Sequence, residues 1–203
     1  MSIEIKLSNK RIDYKKAMNF LNKRVEAVKK GKKNDLIWIL EHPKTYTAGI
    51  SFSRKDILDK KIKFIRTNRG GKVTLHNPGQ KVIYFTINLN NKKKDIRKFI
   101  NSIEKSIIEF LKIYRIPARK DKKNIGIWVK DKKIAAIGLR ISRWIAYHGC
   151  SININNNLED YYKIIPCGLE SNKITSIESE RGFSPKNFEK RLAKIFLKNI
   201  NNI

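Results

Sequence analysis

Side chains able to act as nucleophiles or bases near neutral pH are scarce in this chain. Two cysteines, Cys150 and Cys167, and three histidines, His42, His76 and His148, stand among 203 residues. Cys167 lies in Ile164-Ile165-Pro166-Cys167-Gly168. Proline before and glycine after hold a thiol on a sharp bend. A thiolate there is a strong nucleophile and forms thioesters readily once its pKa falls below the free value of ~8.5. The same pattern also suits a small apolar side chain buried in a turn. Cys150 has a different setting, within His148-Gly149-Cys150-Ser151. The spacing of cysteines and histidines matches no C-x-x-C or H-x-x-x-H pattern, so no metal site is expected.

Two other segments carry chemistry. Lys133 opens Lys133-Ile134-Ala135-Ala136-Ile137-Gly138. A lysine whose stem runs among apolar neighbours is desolvated, which lowers its pKa and suits it to acid–base work. Its plainer reading is a snorkelling lysine at a hairpin tip. The segment from Arg69-Gly70-Gly71-Lys72 through Val73-Thr74-Leu75-His76 to Asn77-Pro78-Gly79-Gln80 holds three of the ten glycines. Glycines let a backbone approach a ligand and offer it N–H groups. Asn-Pro and Pro-Gly are also ordinary turn pairs. The segment is neither G-x-x-x-x-G-K-[ST] nor G-x-G-x-x-G. As partner for a reactive cysteine, either a histidine (His76 or His148) or Lys133 fits, and residue types alone do not choose between them.

The elements that must position these residues follow from hydrophobic period. Tyr14, Met18, Leu21, Val25 and Val28 make one helical stripe over residues 14–30, ended by Gly31. Residues 35–40 (DLIWIL) read as a buried strand, and 41–53 as a polar loop leaving it. Residues 81–88 are β-branched and aromatic, a strand. An amphipathic helix is predicted over 95–114. Residues 126–129 and 134–139 flank a polar tip as a hairpin, 144–154 form a further strand, and 188–200 a closing helix. The pattern predicts an α/β (α+β) single domain spanning 1–203, a mixed β-sheet with flanking helices.

Composition narrows the partners. The 46 Lys and Arg against 18 Asp and Glu give a net charge of +28, but only 12 of the cations are Arg. Lysine is scattered along the whole chain rather than clustered with exposed aromatics, which argues against nucleic acid as partner. Lys, Ile and Asn share A/T-rich codons, so base composition accounts for the excess as readily as a docking face for acidic proteins does. No run reaches the ~18 apolar residues of a membrane helix, and the N-terminus has no apolar h-region. A cytoplasmic location, no membrane partner and free thiols are expected.

Taken in order, several motifs resemble the lipoyl(octanoyl) transferase family. They are Glu41-His42-Pro43 with Thr47-Ala48-Gly49, Arg69-Gly70-Gly71 through Gln80, Lys133 to Gly138, Tyr147-His148-Gly149, Pro166-Cys167-Gly168 and Thr175-Ser176. The resemblance implies a fold like the biotin/lipoate protein ligases. It implies octanoyl-acyl carrier protein as donor. The implied acceptors are lipoyl domains of 2-oxoacid dehydrogenases and the glycine-cleavage H protein. It maps the acyl-bearing cysteine to Cys167 and the lysine that tunes it to Lys133. The acyl pocket maps to Arg69, Gly70, Gly71, Lys72, Val73, Thr74, Leu75 and His76, to Ala136, Ile137 and Gly138, and to Gly149, Cys150 and Ser151, with His148 in support. Neither cofactor nor metal is implied, since a thioester is already activated, and the protein is expected to be a monomer. Leu75 and Asn77 stand where the family commonly has Tyr and Gly. Asn is expected to keep a left-handed turn there, while Leu removes a hydroxyl. The rival readings are an ATP-dependent lipoate or biotin protein ligase of the same fold, and a non-enzymatic basic binding module.

Overall fold

The computed structural model describes residues 2–121, 124–168 and 173–203, the side chain of Cys167 excepted. In chain order the strands are β1 (Ile3–Leu7), β2 (Asp35–Leu40), β3 (Thr45–Ala48), β4 (Phe64–Arg66), β5 (Val73–His76), β6 (Gln80–Asn88), β7 (Arg119–Lys120), β8 (Ile127–Val129), β9 (Lys132–Ser142) and β10 (Ile145–Asn153). The helices are α1 (Tyr14–Lys29), α2 (Ile96–Ile113), α3 (Ile177–Arg181) and α4 (Glu189–Asn201), and Pro166–Gly168 is a 3-10 turn.

Seven strands form one mixed sheet in the order β1-β2-β6-β10-β9-β8-β7, and β4-β3-β5 form a small second sheet. In the large sheet β1 runs parallel to β2, and the remaining pairs are antiparallel. The stripe of α2, with Phe99, Ile103, Ile107, Phe110 and Leu111 fully buried, packs with α4 on one face of the large sheet. Each such side chain contributes about 1.5–3 kcal/mol by leaving water. Asp95 caps α2 by accepting from the Lys98 N–H at 2.8 Å, as Asp13 caps α1 through the Lys16 N–H.

Residues i and i+2 of a strand share a face, and on β6, β10 and β9 this rule decides what meets what. Ile83, Cys150 and Ile152 point at the helix-covered face and join its core. Val82 and Tyr84 turn to the opposite face, where α1 covers one half through Ala17 and Leu21. The small sheet and residues 67–71 lie over the other half, and the space beneath them is the candidate site.

Several expectations need correction. Residues 41–53 are not a continuous loop, because Thr45–Ala48 pairs with both β4 and β5. Val73–His76 is likewise a strand rather than part of a turn. Lys133 lies inside β9 instead of at the hairpin tip. An edge strand, β1, precedes the first helix. Asn77 does not have a left-handed backbone; Gly79 does, at φ 86°. The Asn77 side chain instead donates to the Asn157 carbonyl and the Asp160 carboxylate, and accepts from Asn156.

Candidate functional site

Two cavities share walls on the face opposite α2 and α4. The larger holds about 490 Å³ of non-protein space, part of it open to solvent. Its floor is the large sheet, with Val82 and Tyr84 of β6, Gly149 and Ser151 of β10, and Ala136 and Gly138 of β9. Its roof is Arg69, Gly70, Gly71, Thr74 and His76. The smaller, a narrow space of about 260 Å³ by the same measure and also partly open to solvent, is lined by Thr74, Lys133, Ala136, Ser151, Asn153 and Pro166, among others. Thr74, Ala136 and Ser151 wall both spaces, so the two meet end to end along β9.

The floor can lie close to the backbone because small residues make it. A Cβ on Gly149 would stand 1.8 Å from the Ile83 carbonyl oxygen. No real Cβ tolerates that contact, so Gly149 is required by the sheet itself. The roof is tied down by Arg69. Its guanidinium donates to the Thr47 carbonyl at 2.7 Å, to the Thr47 hydroxyl and to the Gly70 carbonyl. The Gly70 N–H donates to the Leu139 carbonyl at 3.1 Å, which lays the roof across the end of β9.

Lys133 is only 5% exposed. Its Nζ donates to the Ile125 carbonyl at 2.9 Å and lies 4.9 Å over the Trp128 ring. Gly126, at φ 135°, leaves room for the stem: a Cβ there would stand 3.0 Å from the Lys133 Cε. The Lys133 carbonyl accepts from the Thr175 N–H at 3.0 Å. A buried chain of side chains continues from that point. Asn153 donates to the Thr175 carbonyl, Gln80 donates to Asn153 at 2.9 Å, and Gln80 accepts from His76 Nδ1 at 2.7 Å. The lysine strand, the sheet floor and the roof are thus held as one unit.

Cys167 is centred in the turn Pro166–Gly168, whose glycine adopts φ 78°. Its thiol lies outside the described residues, so no sulfur distance follows. The turn's own position is fixed: the Ile165 N–H donates to the Asp56 carbonyl at 2.8 Å, and Pro166 shares the smaller cavity with Lys133. The Lys72 Nζ, 3.6 Å from the Asp56 carboxylate, stands 3.2 Å from where a Cβ on Gly168 would be. A second cation therefore borders the turn.

Other expected pocket residues divide by strand alternation. Thr74 and His76 face the larger cavity, whereas Val73 and Leu75 point away into a small core with Tyr46, Tyr161 and Ile164. Leu75 is therefore a packing residue, and no polar group is missing from the cavity there. Lys72 lines a neighbouring open groove with Ile125, Lys133 and Leu139. The Cys150 thiol and the Ile137 side chain turn to the helix-covered face, and only their backbones border the cavity. Burial pushes the Cys150 thiol up, which leaves it protonated and unreactive.

The three histidines of this region are held neutral, chiefly by burial. Burial first, then His42 and Arg69, push His76 down to about 3. Burial, Arg69 and Arg140 push His148 to about 4. His42 is lowered mainly by burial; its Nδ1 contacts the Ile12 carbonyl at 2.5 Å and its Nε2 the Tyr84 hydroxyl at 2.8 Å. All three rings are neutral at pH 7 and weak as bases, whereas a useful general base has a pKa near the working pH. None of the three lines the cavity that Lys133 shares with Pro166. Sequence reading missed Tyr14, Val82 and Tyr84 in the cavity wall, and Asn68 beside it. Val82 and Tyr84 share one face of a strand that the sequence does predict, but Asn68 and Tyr14 are brought over the sheet only by the fold.

No group of three or more His, Cys, Asp or Glu able to hold a metal occurs among the described residues, and no helix among them is long and apolar enough to cross a membrane. Residues 13–197 match the family model for the lipoyl protein ligase A/B catalytic domain. An octanoyltransferase of Anaplasma marginale (strain Florida) is 37% identical over 182 residues, covering 87% of this chain and 85% of its own. Those of Wolbachia pipientis wMel and Ehrlichia chaffeensis (strain Arkansas) are each 41% identical. The first covers 85% of this chain and 86% of its own. The second covers 86% and 85%. In fold, a lipoate-protein ligase A bound with ATP superposes with a TM-score of 0.76 at 13% identity, covering 99% of this chain and 86% of that one. The archaeal lipoate protein ligase of Thermoplasma acidophilum, studied with its E2 lipoyl domain, gives 0.72 at 13% identity, covering 98% and 84%.

Proposed function

The chain belongs to the lipoyl protein ligase A/B catalytic-domain family and is an octanoyltransferase, and we propose that it works through a thioester on Cys167 with Lys133 as its proton-handling partner. The donor is octanoyl-acyl carrier protein. The acceptor is a lysine on a lipoyl domain, such as those of 2-oxoacid dehydrogenases or the glycine-cleavage H protein. A cytoplasmic setting, with thiols kept reduced, suits this chemistry.

The step order follows from what the cavity offers. The octanoyl chain lies on the glycine-floored sheet beneath Arg69–His76, with its carbonyl at the junction walled by Thr74 and Ser151. The Cys167 thiolate attacks that carbonyl carbon. The donor carbon–sulfur bond breaks, the new one forms, and the leaving thiolate takes a proton from Lys133. The acceptor amine then attacks the Cys167 thioester, that carbon–sulfur bond breaks, an amide forms, and Lys133 accepts the amine's proton. One lysine serves both halves because as ammonium it favours thiolate and as amine it takes a proton. No ATP is consumed, since the donor is already a thioester.

The observation that supports this reading is that buried Lys133 and Pro166, the residue before the cysteine, line one cavity. Structural likeness to ligases, at 13% identity, extends to the fold alone. The test is transfer of octanoate from octanoyl-acyl carrier protein to a purified lipoyl domain with and without ATP. Equal transfer in both supports the thioester route; strict ATP dependence overturns it in favour of a ligase.

A further inference from the structure

His148 breaks the rule that the rest of β10 obeys. Its even-numbered neighbours Ala146, Cys150 and Ile152 all point into the helix-covered core. At His148 the backbone is left-handed, φ 62°, although β10 stays in register with both neighbouring strands. The ring comes out on the other face. It stacks on Tyr147 with centroids 5.0 Å apart, and its Nε2 contacts the Asn68 side-chain oxygen at 2.6 Å. A non-glycine residue in this conformation within a strand is strained, and strain of this kind collects at functional positions.

The ring's polar atoms do not explain the strain. With the Asn68 oxygen accepting, Nε2 carries the proton and Nδ1 a lone pair. Nδ1 is buried and has no hydrogen-bond partner among the described residues. A histidine kept for its hydrogen bonds would use both nitrogens. What the ring does is occupy space: it is 3% exposed and forms part of the cavity wall together with Arg69 and Gly70.

Its place in the cavity gives that bulk a meaning. The wall residues run along β10 from Ser151, next to the Lys133 cavity, to His148. Those three steps cover ~10 Å at ~3.3 Å per residue. An extended chain of eight carbons, with bonds of ~1.5 Å, spans a comparable length. Beyond His148 the way is crossed by the segment of residues 68–70, since the Arg140 guanidinium donates to the Asn68 carbonyl and the Gly70 N–H to the Leu139 carbonyl.

We infer that His148 is the end stop of the acyl cavity, a specificity-determining residue whose inverted side chain, held by Asn68 and Tyr147, sets the accepted chain at about eight carbons. This rests on the proposed octanoyl transfer. The neutral ring suits an apolar chain terminus. Asn68 is a positioning residue that acts through the ring.

The test loads the purified full chain with octanoyl-, decanoyl- and dodecanoyl-acyl carrier protein and follows each adduct by intact mass over time. The unaltered protein is expected to load octanoyl fastest. In His148→Gly, which removes the ring and relieves the left-handed strain, dodecanoyl loading relative to octanoyl should rise at least tenfold. Asn68→Ala should move the ratio the same way by less. Should His148→Gly lose its cooperative thermal transition, His148→Asn, shorter and tolerant of this backbone, replaces it. An unchanged ratio in a folded variant, or an equal slowing at all three lengths, overturns the inference while leaving octanoyl transfer intact. Failure of the unaltered protein to load any chain overturns the functional reading, and this inference with it.

Discussion

Cys150 and Cys167 are the same side chain in two kinds of place. Cys150 sits in the middle of β10, hydrogen-bonded on both sides, opposite Ile83 of β6, with its thiol in the apolar core of the helix-covered face. Cys167 sits in a 3-10 turn between a proline and a left-handed glycine, beside the cavity that Lys133 lines and with Lys72 bordering the next residue. A sheet interior gives a thiol neither water nor a cation, so it stays a thiol. The proposed thiolate belongs to a turn braced from below by the Asp56 carbonyl, with Lys133 lining the adjoining cavity and Lys72 at its edge. On the proposed mechanism, reactivity follows from the element that carries the sulfur and not from proximity to the larger cavity, which Cys150 borders.

The largest effect that sharpens the contrast is loss of the turn's sulfur. Cys167→Ser should abolish thioester formation, because an alkoxide is far harder to form than a thiolate at neutral pH. Normal octanoyl transfer by that variant would dissolve the distinction. Next is Lys133→Arg, which keeps the charge but cannot release a proton. Transfer should fall by ~10²–10⁴, the usual worth of a positioned acid–base group, and what remains should rise with pH as the thiol and the acceptor amine lose their protons. Unaltered rates would remove Lys133 from the chemistry.

A third effect concerns the buried rings that line the larger cavity. His76 is held at about 3 and His148 at about 4, while in the unfolded chain each titrates near ~6.5. Below that value the unfolded chain binds more protons than the folded one. The stability present above about pH 6.5 is therefore lost as pH falls toward 4, with a slope approaching ~1.4 kcal/mol per unit for each histidine. Denaturant midpoints from pH 7 to 4 measure this, and a flat profile would mean the rings take up protons in place.

On the other side of the contrast, Cys150→Ser puts a hydroxyl into an apolar wall and should cost about 1–3 kcal/mol of stability, read from denaturant midpoints, while octanoyl loading persists. Loss of loading in a folded Cys150 variant would move the chemistry to the wrong strand. The smallest effect is electrostatic. If the +28 charge steers acidic partners, transfer at low substrate should fall several-fold with rising salt through the association rate; a flat response assigns the charge to composition alone.

Much of this arrangement could be read before the fold was known. The helices α1, α2 and α4 declared themselves by an uninterrupted helical period, and the strands β2, β6, β9 and β10 by apolar, β-branched or aromatic runs. The strands β1, β3, β4 and β7 did not, since two to five residues hold too little pattern. The alternation of Val73-Thr74-Leu75-His76 was present in the sequence and would have sorted cavity from core, had the segment been taken as a strand. The inversion at His148 was not legible: nothing in Tyr147-His148-Gly149 announces a left-handed residue, and the conformation exists because the sheet and Asn68 impose it. The burial of Lys133 also needed the fold, because it depends on Gly126 and on Trp128 across the hairpin.

The central claim, that the acyl group is carried on the turn and not on the strand, is tested most directly by incubating the protein with octanoyl-acyl carrier protein in the absence of acceptor. The trapped adduct is then mapped by peptide mass before and after hydroxylamine. One octanoyl group on Cys167, released by hydroxylamine, is the predicted result. An octanoyl group on Cys150, or one resistant to hydroxylamine, would contradict it.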